Sequence, residues 1–374
     1  MRLLVFLAAA VAVAALAADA SASSRLIKGL FDEANTLTGN PDRTFPILGQ
    51  LHTKALRTNL YWGGRYGVAR SRPLEATDPD DPAYDWSLYD RTVNYAQQYG
   101  MKIVFSIWGT PRWANGGRGI NAAPTNPLDL QNFARAAARR YGGRWLGEDG
   151  RGLPRVDFWL AWNEPNNPVF LKPQYKLVGG KQVRWGAREY ARICNAVVRG
   201  VRSARVRSQK IACGATAPRG NNNPNSLRPS VSPVAFLRSM KAYGATGFDA
   251  YAHHPYHANP SESPSTLPKG TNTVTLANIG VLIKELTRLY GAKPVWITEY
   301  GYQTNPPDKL FGISWAKQAA YLKQAYDIAR KNPRIDMLLW FLLRDDTAAG
   351  GWQSGLITAG GRKKPSFIQF QRIR

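Results

Sequence analysis

Apolar residues in this chain fall into short unbroken runs, separated by longer stretches where they recur every third or fourth position. The runs lie near 27–31, 55–62, 101–108, 158–164, 210–215, 248–254, 294–300 and 335–343. Rich in β-branched and aromatic residues, they are predicted as eight strands. The spaced stretches predict helices near 86–99, 128–141, 187–206, 233–243, 276–290, 315–330 and 365–372. Gly100, Gly142, Gly244 and Gly291 stand as stop signals behind four of them. No helix is read between the first two strands. The strands are apolar at consecutive rather than alternate positions. That marks parallel strands buried on both faces. Eight strands, most followed by a helix, predict an α/β fold, a single (β/α)8 TIM barrel. An open doubly wound sheet is the alternative. Its glycine-rich G-x-G-x-x-G turn does not follow the first strand.

The first residues break the pattern. Met1-Arg2 precedes an apolar run over 3–18, and Ala20-Ser21-Ala22 has the A-x-A form of a cleavage site. Residues 1–22 are predicted as a signal peptide, leaving a secreted, extracellular domain over 23–374. The run is shorter than the ~20 residues needed to span a bilayer, so no membrane contact is expected after cleavage. No linker or appended domain is read after it, and a monomer is expected.

Charge adds a question. Lys+Arg number 50 against 25 Asp+Glu, a net +25. A solvated basic surface accounts for this. So does attraction to a polyanion such as an acidic glycan, an anionic wall polymer or nucleic acid. No nucleic-acid motif is present, so no specific nucleic-acid partner is expected. The densest basic stretch, Arg192 to Arg207, has helical spacing and suits an outer helix. Cys194 and Cys213 fall on neighbouring elements; a disulfide and two buried thiols both fit. With no second pair, a cysteine metal site is not expected.

The strand ends carry the chemistry, because barrels of this kind place their sites at the C-terminal ends of strands. The fourth strand ends in Trp162-Asn163-Glu164, and Pro165 turns the chain out of the sheet. The seventh ends in Thr298-Glu299-Tyr300-Gly301, the sixth in His253-His254-Pro255-Tyr256. The second strand carries Arg57 and the eighth Trp340. Two carboxylates on one rim repel, and one pKa is driven up. Glycoside cleavage uses that asymmetry: one carboxyl holds a proton for the leaving oxygen, and the other stays ionised. Trp62, Trp108, Trp113 and Trp352 follow strands on the same rim, where aromatic faces suit sugar rings. Asp249 reads as structural, and Asp345-Asp346 as a cap. Three of four histidines crowd 253–257 with no acidic helix to pair with them, so neither metal nor cofactor is expected.

These residues carry a resemblance. Asn163-Glu164-Pro165 and Ile297-Thr298-Glu299-Tyr300-Gly301 resemble the paired signatures of clan A glycoside hydrolases, retaining (β/α)8 enzymes. Trp108-Gly109-Thr110-Pro111-Arg112-Trp113-Ala114 is similar to family 39 members, with family 5 the second choice. Family 5 often has a His after the third strand, where Ile107-Trp108 stands here. The resemblance implies a β-glycoside hydrolase acting by double displacement; the signal segment makes it a secreted one, and the long, partly basic loops point to an oligo- or polysaccharide, an acidic or cell-wall polymer among the candidates. Glu164 would be acid/base and Glu299 nucleophile. Asn163 would bind the sugar 2-hydroxyl. Arg57 and Tyr256 would hold Glu299, His254 or its neighbour His253 would point inward, and Trp340 would floor the sugar subsite. A non-catalytic glycan- or wall-binding barrel and a basic polyanion binder are the competing readings.

Overall fold

The computed structural model describes residues 26–147, 150–348 and 350–373; the predicted signal peptide lies outside them. The apolar runs become eight parallel strands: Ile27–Phe31, Ala55–Tyr61, Lys102–Trp108, Phe158–Ala161, Lys210–Thr216, Ala250–His253, Val295–Tyr300 and Ile335–Phe341. Each pairs with the next, and the eighth pairs with the first, so the sheet closes. The barrel is the one expected from the sequence.

Two apolar layers explain the unbroken runs. Inside the barrel, Ala55, Val104, Leu160, Ala212, Ala250, Ala252, Trp296, Met337 and Leu339 fill the lumen. The alanines of the fifth and sixth strands leave room for Trp296, a large-against-small fit across the lumen. The alternate residues of the same strands face the helices and join one large outer cluster. Trp340 belongs to this outer set. It is fully buried, and its indole N–H donates to the Ser354 carbonyl at 3.0 Å.

Helices Ser87–Gln98, Pro127–Arg140, Trp185–Ser203, Pro233–Ala242, Ile279–Tyr290, Trp315–Lys331 and Pro365–Arg372 match the expected seven. Further pieces appear, among them a 3-10 turn at Arg112–Ala114. Glu33–Thr36 is a short helix capped by Asp32, and Pro41–Gln50 is a helix with Pro46 inside it. An antiparallel hairpin joins Lys176–Val178 to Lys181–Val183. Among the described residues, no helix is long and apolar enough to cross a membrane.

Cys194 and Cys213 are bridged, with Cα atoms 5.9 Å apart, pinning helix Trp185–Ser203 to the fifth strand. Asp249 accepts from Ile211 N and pairs with Arg202. Asp345 forms a buried ion pair with Lys364, its Oδ1 2.7 Å from the ammonium. At the opposite end of the barrel, Lys28 donates from one buried ammonium to the carbonyls of Leu51, Phe370 and Ile373.

Candidate active site

The C-terminal strand ends enclose a cleft of about 900 Å³. Its floor is built around Arg57, which is fully buried in the second strand. The guanidinium lies 4.2 Å from the Phe31 ring centroid. Nη1 donates to Glu299 Oε2 at 3.1 Å and to the Thr298 carbonyl at 3.1 Å. Nη2 donates to Asn163 Oδ1 at 2.5 Å. Tyr256 O–H donates to Glu299 Oε1 at 3.0 Å. Each Glu299 oxygen therefore receives one donor, which orients the carboxylate and stabilises its negative charge.

Glu164 is placed differently. The fourth strand ends in left-handed backbone, with φ of +71° at Trp162 and +37° at Glu164. Such conformations in non-glycine residues are uncommon and concentrate at functional sites. The fifth strand bulges beside it: the register with the sixth slips between Gly214 and Thr216. The slip turns the Ala215 carbonyl to accept Glu164 N–H at 2.9 Å. Only glycine fits at 214, where φ is +101° and a Cβ would lie 2.6 Å from the Ala252 carbonyl oxygen. Glu164 Oε2 accepts from Asn167 Nδ2 at 3.1 Å. Burial raises the Glu164 pKa to about 7, opposed by the Asn167 hydrogen bond and by the charges of Arg57 and Arg219. Yet both Glu164 and Glu299 keep 12% of their side-chain surface exposed. The carboxyl groups are held by protein, and their tips reach the cleft.

His254 joins the two. Its Nε2 faces Arg57 Nη1 at 3.2 Å, a group that only donates, and Thr298 Oγ1 at 3.0 Å. Nε2 is thus the acceptor, and Nδ1 carries the hydrogen toward Glu164 Oε1 at 3.1 Å. Burial, reinforced by Arg57 against the pull of Glu299, lowers the His254 pKa to about 3, so the imidazole is neutral. His253 points elsewhere, bonded to Thr216 and to the Val274 carbonyl.

Glu164, His254 and Glu299 each offer an atom within 4.8 Å of the other two. Among the described residues this is the one grouping with the spacing of a metal ligand set. Arg57 already places a cation against Glu299, and both His254 nitrogens are engaged. The donor set therefore suits proton transfer better than cation binding.

The structure brings Arg57, Asn163, Glu164, His254, Tyr256 and Glu299 together. Of the expected tryptophans it brings Trp352 to the cleft and leaves Trp62, Trp108, Trp113 and Trp340 out of its lining. Trp340 stands in register with Leu30, while Phe341 stands in register with Phe31 and with it lines the cleft. Successive strand residues face opposite sides, so Trp340 points at the helices and Phe341 holds the cleft position assigned to it. Trp62 is fully buried for the same reason. Trp108 has the correct parity but is enclosed by the edges of Tyr61, Trp162 and Phe170. Trp113 sits between Trp62 and the Arg72 guanidinium and borders a separate depression. Trp352 does line the cleft, beside Phe341 and Tyr256.

A third carboxyl group was not anticipated. Glu33 lines the cleft, accepting from Asn59 N at 2.7 Å, Asn59 Nδ2 at 3.1 Å and Tyr61 O–H at 2.9 Å. Burial raises its pKa to about 7, against those hydrogen bonds and the Arg57 charge. Arg57, Asn59 and Tyr61 stand at alternate positions of one strand, so the period-two pattern was the available signal. For Glu33 it was the end of the first strand.

Similarity to known proteins follows this geometry. The profile of a family described as "Family of unknown function (DUF5722)" matches residues 129–374. No curated protein matches the sequence. A family 39 glycoside hydrolase from the gut symbiont Bacteroides cellulosilyticus WH2 superposes with a TM-score of 0.63 at 19% identity. It covers 94% of this chain, which spans 64% of that one. A glucosidase from Croceicoccus marinus gives 0.65 at 14% identity, covering 93% of this chain and 65% of its own. Fungal β-1,4-galactanases give 0.57 at 14% identity, covering 92% and 99%. The chain thus spans just under two thirds of the first two structures. The likeness is one of fold: a closed eight-stranded parallel barrel.

Proposed function

The chain belongs to DUF5722, a family of unknown function, and from that premise we propose that it is a retaining O-glycoside hydrolase with Glu164 as acid/base and Glu299 as nucleophile. One observation carries the reading. Two carboxyl groups approach within 4.8 Å at one strand-end rim, in opposite surroundings. Retaining enzymes hold their pair about 5–5.5 Å apart, and inverting ones about 6.5–9.5 Å. Glu299 is braced by two donors, and Glu164 is raised to about 7 by burial.

In the first step Glu164 gives its proton to the glycosidic oxygen. Glu299 attacks the anomeric carbon, the C–O bond breaks, and a glycosyl ester forms. In the second step the Glu164 carboxylate takes a proton from water, whose oxygen displaces Glu299. Arg57 and Tyr256 receive the negative charge as it returns to Glu299. His254 Nδ1–H orients Glu164 through Oε1, and the neutral imidazole brings no second positive charge to it. Phe31, Phe341 and Trp352 supply apolar faces for a sugar ring.

Glu299→Ala abolishes turnover of an aryl β-glycoside, and azide restores part of it as a glycosyl azide of inverted anomeric configuration. Glu164→Ala with azide gives the retained anomer instead. Undiminished activity in Glu299→Ala would sink the mechanism. Export belongs to the same proposal, supported by the disulfide, a bond of oxidising compartments. Secreted material starting at Ser23 agrees with it, and an intact residue 1 contradicts it.

A further inference from the structure

We infer that the cleft takes an anionic glycan, whose carboxylate or sulfate is held by Arg219 and Arg228 on the Glu164 side. This inference rests on the hydrolase reading. Both arginines line the same cleft as Glu164 and Glu299. Among the described residues, neither guanidinium pairs with a carboxylate. Arg219 donates to the Ala258 and His257 carbonyls at 3.3 and 3.2 Å, which places its charge without neutralising it. Its charge reaches Glu164. The three carboxyl groups of the cleft are engaged elsewhere: Glu33 with Asn59 and Tyr61, Glu164 with His254 and Asn167, Glu299 with Arg57 and Tyr256.

The loop carrying these arginines is built rather than loose. Asn166 is fully buried two residues after Glu164. Its Oδ1 accepts from Ala217 N at 2.8 Å, and its Nδ2 donates to the Ala217 and Val231 carbonyls at 3.2 and 2.9 Å. One side chain therefore clamps both ends of 217–231. Within the loop, Asn221 Nδ2 donates to the Arg228 carbonyl at 3.0 Å, and Arg228 N donates to Ser226 Oγ at 3.2 Å. Arg219 is thus held through its guanidinium, with its charge felt at Glu164, and Arg228 is anchored through its backbone on the same loop, with its side chain on the cleft wall. A neutral sugar there offers neither guanidinium a counter-charge, whereas an anionic one gives each a charge-assisted bond. The charged residue of the glycan is accordingly placed on the leaving-group side.

The test is calorimetric binding to the full mature Glu299→Gln protein, where turnover does not interfere. The ligands are a uronate oligosaccharide, its carboxyl-reduced neutral counterpart, and a sulfated oligosaccharide of the same length. The inference expects at least tenfold tighter binding of one anionic ligand than of the neutral one; whichever of uronate or sulfate prevails identifies the anion. Arg219→Ala/Arg228→Ala removes that preference. Arg207→Ala/Lys331→Ala, which takes the same charge from the surface outside the cleft, leaves it in place. Equal affinity for charged and neutral ligands overturns the inference, as does equal loss from the two double variants. Because binding is read in an inactive protein, a failed hydrolysis assay leaves this result standing, and failed selectivity leaves the catalytic pair standing.

Discussion

At the scale of single residues, Glu164 sets the expected pH response. A general acid must be protonated in the free enzyme. With its pKa near 7, kcat/KM falls as pH rises through about 7. Asn167 donates to Glu164 Oε2 and so favours the charged form. Asn167→Ala raises the pKa, and the alkaline limb of the kcat/KM profile moves upward; an unmoved limb contradicts the assignment. Glu33 makes a second test, on stability. Its pKa rises from 4.5 unfolded to about 7 folded, so the native state binds its proton more tightly. That contribution is complete below 4.5 and is lost as pH rises through about 7, at up to about 1.4 kcal/mol per unit. Glu33→Gln therefore gains melting temperature relative to wild type between pH 5 and pH 8, and a constant difference refutes it. That Glu164, Glu299, Arg57 and Tyr256 share one rim was legible in the sequence because strand ends and polar residues in apolar runs are local signals. Trp340 was misplaced because strand parity was not applied there. The same rule would have chosen Phe341 and found Asn59 and Tyr61.

At the scale of elements, the eight strands and seven of the helices were legible from periodicity. Helix Pro41–Gln50 was not, since Pro46 inside it reads as a breaker. The hairpin at 176–183 escaped because its strands are only three residues long and largely exposed. Least visible was the bulge in the fifth strand. Lys210–Thr216 reads as an ordinary strand, yet its slip at Gly214 supplies the carbonyl that fixes Glu164. Gly214→Ala forces a Cβ against the Ala252 carbonyl and the Tyr251 ring at a positive φ. Activity is expected to fall by at least about tenfold, since small displacements at a reacting centre are costly. Melting temperature falls with it. Full activity in Gly214→Ala removes the bulge from the catalytic account.

At the scale of the whole molecule, Lys28 ties the first strand to the last helix. Lys28→Met keeps the stem but leaves three buried carbonyls without their donor. A loss of about 3 kcal/mol is expected from urea unfolding, with faster hydrogen exchange across Pro365–Arg372. Exchange as slow as in the wild type refutes this. The closing pair of strands has a further consequence in time. Ile27 is in register with Met337, so the seam joins residues more than 300 positions apart. A polypeptide made from its N-terminus carries the first strand with one edge bare until the eighth emerges, roughly 15–60 s later at ordinary elongation rates. During that interval Arg57 and Glu299 are strangers, and the future cleft is an open sheet with a sticky margin. The candidate site is therefore the last thing synthesis completes, because its two carboxyl groups meet only once the seam has closed.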